Sequence, residues 1–254
     1  MLSSLATIVL IVAVAFPLAL FLLQERLIFF PQPLGEAQRA AVKQRHPAVR
    51  EVFLDSGAHA WHLPGDPLVI YFGGNAEEVS WMLSQDIPKV GWLLVNYPGY
   101  GASPGAPSEQ TISADALQWY DYASRDIKPS RIFVFGRSLG SGPAVLLASE
   151  RKLSGVVLVT PFDSLMEVAK RHYPFLPVKL MLRHQFDSIG RAPKITAPLL
   201  AIAAARDEII PSSHARKLFD AWGGEKRWVE LEEAGHNSTD SHPLFWDHVK
   251  RFLK

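Results

Sequence analysis

No cysteine occurs among the 254 residues, which excludes disulfides, thiolate metal sites and a cysteine nucleophile while fitting a reducing or an oxidising compartment alike. An excess of charge is also missing: 26 Lys and Arg stand against 25 Asp and Glu, for a net charge of +1. With no basic run and no basic–aromatic stripe, nucleic acid is not expected as a partner. Internal repeats and low-complexity tracts are absent. No pair of histidines has metal-ligand spacing with a third ligand nearby, so no metal is expected.

One long hydrophobic run is present. Leu5 to Leu23 carry no charge, and Thr7 is the one polar residue. As a helix they reach about 28 Å, near the roughly 30 Å of a bilayer's hydrocarbon core. A cleaved signal peptide and a buried core helix are the alternatives. No Lys or Arg precedes the run, and Ala13 and Ala15 lie inside it rather than at its end, against a cleavage site. The expectation is an N-terminal transmembrane anchor over residues 1–25 and a catalytic domain over residues 26–254. Arg26, Arg39, Lys43 and Arg45 all follow the run, which mildly favours a cytoplasmic domain. The membrane side is left open.

Beyond Arg26, short apolar runs alternate with amphipathic stretches, the pattern of a mostly parallel sheet with helices on both faces. Strands are expected at Val49–Leu54, Leu68–Phe72, Val90–Asn96, Arg131–Phe135, Val156–Thr160, Leu199–Ala203 and Arg227–Leu231. Helices are expected at Glu77–Leu83, Ile112–Ser124, Pro143–Ser149, Ser213–Trp222 and Pro243–Leu253. The proline-rich interval of about 163–197 has no strand pattern and reads as a small helical cap over the sheet's C-terminal edge.

Gly136-Arg137-Ser138-Leu139-Gly140 follows the strand Arg131–Phe135 and precedes a helix with Pro143 in its first turn. This is G-x-S-x-G in strand–turn–helix context, and it resembles the nucleophile elbow of the α/β-hydrolase fold. A serine on so sharp a turn exposes its hydroxyl above the sheet, and the positions two before and two after it must be small. Ser138 is the expected nucleophile. A serine hydroxyl needs a base, and the base an orienting carboxylate, in the chain order Ser, acid, His for this fold. Asp207 follows the strand Leu199–Ala203 and His236 follows the strand Arg227–Leu231, so both fall at the sheet edge that carries Ser138. Asp163, after Val156–Thr160, is the alternative acid. Glu208, His172, His184, His214, His242 and His248 read as structural or exposed. The oxyanion donors are expected to be the main-chain amides of Leu139 and of Asn75, in the loop Gly73-Gly74-Asn75.

The segments LIFFPQP, YFGGNAEE, NYPGYGASPGAPSE, VFGRSLGSG, TPFDSL, RHYPFLP, FDS, RDEIIP and EAGHN, in that order, resemble the membrane-anchored branch of the α/β-hydrolase-domain serine hydrolases. They run through nearly the whole chain from Leu27. The resemblance implies hydrolysis of acyl esters, thioesters or lipids without a cofactor. Two positions depart from the family pattern: Gly73 stands where a histidine is usual, and Pro98 where an arginine is usual. The expected partners are a small-molecule, lipid or acylated substrate and the membrane, through the N-terminal helix. The related serine aminopeptidases supply an alternative reading, and a non-catalytic membrane-bound scaffold on the same fold another.

Overall fold

The computed structural model describes residues 2–254 except Asp86 and Pro88, and the side chains of residues 2–13 lie outside that description. Eight strands among the described residues form one sheet: β1 (Arg50–Phe53), β2 (His59–Leu63), β3 (Leu68–Phe72), β4 (Gly91–Val95), β5 (Ile132–Arg137), β6 (Gly155–Val159), β7 (Leu199–Ala204) and β8 (Lys226–Leu231). Their order is β1-β2-β4-β3-β5-β6-β7-β8. The first two pairings are antiparallel and the other five parallel. Parallel neighbours need a crossover, and the crossover helices cover both faces.

The strand sequences follow from that double covering. In β3, Leu68, Ile70 and Phe72 enter one core layer while Val69 and Tyr71 enter the other. The first layer is closed by α3 (Glu109–Tyr122), α4 (Ser141–Glu150) and α8 (Ser212–Ala221) through Trp119, Val145 and Leu218. The second is closed by α9 (Phe245–Phe252) and the 3₁₀ turn Val79–Ser84, through Val249 and Met82. Between β6 and β7 lie α5 (Leu165–His172), α6 (Val178–Met181) and α7 (Ser188–Arg191), with no strand. Two further helices, α1 (Leu2–Ile28) and α2 (Glu36–Arg45), precede the sheet.

The parallel sheet stands, but the transmembrane helix expected before it does not. Among the described residues no helix is long and apolar enough to cross a membrane, so the single-pass anchor and the membrane location are corrected. The part of the anchor prediction over residues 1–13 falls on residues that, in whole or in their side chains, lie outside the description. The last turns of α1 dock, while Val14, Phe16, Leu18 and Leu22 before or beside them stay more than half exposed. Gln24 is buried, its amide donating to Phe21 O and Met181 O while its oxygen accepts the Arg183 N–H at 2.8 Å. Arg183 pairs with Glu25 at 2.7 Å and lies over the Phe21 ring at 4.3 Å. Phe29, just past the helix, is 1% exposed, and burial of such a ring contributes about 1.5–3 kcal/mol. An apolar run looks the same from sequence whether lipid or protein lies beside it. Here the last turns face α5 and α6.

His59 on β2 secures the loop that supports the site. Its Nδ1 accepts the Ala102 N–H at 3.3 Å and lies 3.0 Å from the Asn96 amide nitrogen. Complete burial drives its pKa down to about 4, helped by Arg39 and Lys43 and opposed by Glu51. Between about pH 6.5 and 4 the unfolded chain therefore binds a proton that the folded chain refuses, and stability falls as pH falls through that window. At pH 5 the loss relative to neutral pH is about 2 kcal/mol. Urea unfolding at pH 7 and 5 checks this: His59→Gln should lose markedly less than wild type, and equal losses would disprove the assignment.

Candidate active site

Ser138 sits one residue past β5 with φ +50°, a left-handed conformation that costs a serine strain of order 1–3 kcal/mol. Its neighbours explain how the turn closes. A methyl on Gly136 would overlap the Gly140 carbonyl, and one on Gly140 would overlap the Phe72 carbonyl at the end of β3. The first is the expected collision across the turn. The second is against the adjacent strand, whose continuation is the Gly73-Gly74-Asn75 loop. Glycine at 140 thus lets the serine turn and that loop approach each other.

Three side chains from distant parts of the chain meet here. Asp207 follows β7, and its Oδ1 accepts the main-chain N–H groups of Ile209 and Ile210 at 2.9 and 2.7 Å. Its Oδ2 is 2.7 Å from His236 Nδ1. His236, in the loop after β8, has Nε2 2.8 Å from Ser138 Oγ. An ionised carboxylate only accepts, so Nδ1 carries the imidazole proton and Nε2 offers its lone pair to the serine hydroxyl. All three residues are less than a tenth exposed. Ser138 and His236 open on a cavity of about 520 Å³ that Leu27, Phe30, Asn75 and Arg137 also line.

Asp163, the alternative acid, is brought to a different histidine. Its Oδ1 lies 2.7 Å from His214 Nδ1 and accepts the Ser164 N–H, while Lys217 Nζ is 3.6 Å from its other oxygen. His214 therefore has a buried partner that the sequence did not signal. Glu208 is exposed, as expected of a solvated charge. His172 Nε2 contacts Ile209 O at 2.9 Å, tying α5 to the loop after β7.

Several side-chain contacts around the serine were not legible in the sequence. The Asn75 side chain does not face the cavity as a free group: its oxygen accepts the Phe30 N–H at 2.9 Å and the Tyr100 hydroxyl at 3.0 Å, and its nitrogen donates to Ile28 O. Glu77 braces the loop in which Gly73 stands where a histidine is usual. Its Oε2 accepts the Gly74 N–H at 2.6 Å, and its Oε1 accepts from the Tyr71 hydroxyl and the Trp81 indole at 2.6 and 2.7 Å. A side chain at position 73 would press on Val79 and Glu77. Tyr97 donates to Gly73 O at 2.7 Å. Burial pushes the Tyr71 and Tyr97 hydroxyls well up, and the Glu77 carboxylate adds to it, so both remain protonated donors. Arg137 lies 3.9 Å from Glu77 and 3.6 Å from Asp240.

Similarities to other proteins bear on the same fold. An uncharacterised protein of Mycobacterium tuberculosis is 35% identical over 247 residues, covering 91% of this chain and 87% of that protein. Human alpha/beta hydrolase domain-containing protein 17B is 33% identical over 164 residues, 62% of this chain and 54% of its own. The crystal structure of an alpha-beta hydrolase from Vibrio vulnificus superposes with a TM-score of 0.69 at 19% identity, over 87% of this chain and 86% of that one. The serine hydrolase family matches residues 106–254, a stretch that holds Ser138, Asp207 and His236, and the chain belongs to that family as a hydrolase of the α/β-hydrolase fold.

Proposed function

We propose that the chain cleaves carboxylic ester or thioester bonds of lipid or acylated substrates by two-step acyl transfer. Ser138 is the nucleophile, His236 the general base and acid, and Asp207 the group that orients His236. The observation that carries the reading is the pair of contacts at 2.7 and 2.8 Å linking Asp207 through His236 to Ser138, on the wall of an open cavity. Ser138 Oγ bonds to the substrate carbonyl carbon as its proton passes to His236 Nε2. Collapse of the adduct breaks the bond to the leaving oxygen or sulfur, which takes that proton. Water then adds its oxygen to the acyl carbon and gives a proton to His236; the acid departs and Oγ recovers the proton. Every group these steps require comes from the chain or from water.

The developing oxyanion is held by the main-chain amides of Asn75 and Leu139, each worth about 10²–10³ in turnover. The Asn75 side chain is committed elsewhere, so its part in the reaction is played by its main chain. Residues 163–197 serve as the cap above the cleft.

A p-nitrophenyl butyrate assay run beside an aminoacyl p-nitroanilide tests the reading. The ester should turn over and the anilide should not. Faster turnover of the anilide would replace the ester reading with a peptidase, and turnover of neither, nor of p-nitrophenyl octanoate, would remove acyl transfer.

A further inference from the structure

A second cleft lies between α1 and the α5–α6 segment. Leu20, Phe21 and Leu27 of α1 face Leu176, Val178 and Met181 across a space of about 140 Å³. Its wall is apolar almost throughout. The Gln24 amide in it is spent on main-chain partners, two as donor and one as acceptor. Leu27 lines this cleft and also the Ser138 cavity, so one side chain borders both spaces. On the other flank of the Ser138 cavity the surroundings reverse: Arg206, Glu208, Glu233 and Ser238 line a polar recess that shares Ile209, His236 and Asn237 with the cavity.

We infer that the α1–α6 cleft is the acyl-chain subsite of the Ser138 site, which makes α1 a substrate-binding element, and that the substrate is a medium-length acyl ester or thioester with a polar leaving group. This rests on the acyl-transfer reading above. A chain bonded at the serine finds an apolar surface toward Leu27, which borders both spaces, and a polar alcohol or thiol has the recess at Arg206 and Glu233. The size of the cleft sets the chain. An apolar cavity of about 150 Å³ holds a benzene molecule, so about six carbons fit beyond Leu27, and medium-length chains are selected over short ones.

The ratio of kcat/KM for p-nitrophenyl octanoate over butyrate tests this in the full chain, because any misfolded fraction cancels from a ratio. Wild type should favour octanoate by about tenfold or more. Ala169→Phe, which fills the cleft from its half-buried rim, should lower the ratio about tenfold. Leu176→Ala, which enlarges the cleft, should instead raise decanoate relative to octanoate, and it decides the matter if the filled variant does not fold. A wild-type ratio near one, or ratios that neither substitution moves, would overturn the subsite and leave the role of Ser138 standing. Turnover of no ester by wild type would overturn both.

Discussion

Alanine in place of Ser138 is expected to abolish covalent labelling by a fluorophosphonate and to lower ester turnover by about 10⁴–10⁶. The expectation follows from how little else the substitution touches. The Ser138 hydroxyl meets His236 Nε2 at 2.8 Å, and deleting one oxygen leaves Gly136, Gly140 and the packing behind them in place. The strained φ of +50° is held by the surrounding turn, so the fold should survive with a change in stability of about 1 kcal/mol or less. Circular dichroism and thermal melting of the alanine protein would show this. Labelling that persists at wild-type rate would mean that another nucleophile reacts, and the acyl-transfer reading would fail.

Asp207→Asn is the second large effect, with kcat reduced by about 10⁴ at near-constant stability. The asparagine oxygen can still accept the Ile209 and Ile210 amides, so the loop keeps its shape. Its NH₂ group, however, would face His236 Nδ1, where a carboxylate oxygen stood. The imidazole would then carry its proton on Nε2, which could no longer take one from Ser138. Asp163→Asn is the informative counterpart. That carboxylate serves His214, Lys217 and the Ser164 amide, and its loss should destabilise by about 1–3 kcal/mol while turnover changes by less than a few-fold. Comparable activity losses from both substitutions would contradict the separation of roles. Steady-state kinetics with urea midpoints distinguishes the cases.

The parts of the fold that could be read from sequence are those where one force dominates. The strands from β3 to β7 are buried on both faces, so their apolar runs announced them within a residue or two. β2 did not announce itself, because His59-Ala60-Trp61-His62-Leu63 has neither β-branched residues nor clean alternation; its burial comes from partners on either side. α2 buries no residue completely and so has little apolar stripe to detect. At the site, the positions of Ser138, Asp207 and His236 were legible because each lies just past the end of a sheet strand. Asp163 lies past one too, and only the packing of α8 assigned it to His214. Glu77 was hidden by the expectation of a helix starting there. The helical turn begins instead at Val79, which leaves Glu77 able to turn back onto Gly74. The N-terminal run misled for a different reason: the residues that reveal docking, Gln24 and Glu25, come after the apolar stretch, and their partner Arg183 is far away in sequence.

The Asn75 carboxamide carries a further implication for anyone handling the protein. Trimming a greasy leader is a common way to improve yield, and here it would carry a hidden cost. A chain cut after Ile28 would keep every residue of the sheet and Ser138, Asp207 and His236. It would also strip the Asn75 side chain of the Ile28 carbonyl, one of its two main-chain tethers outside its own loop, and with it a hold on the strip of backbone that borders the serine. The end of the N-terminal helix therefore holds backbone that borders Ser138, and the properties of the two should be measured together.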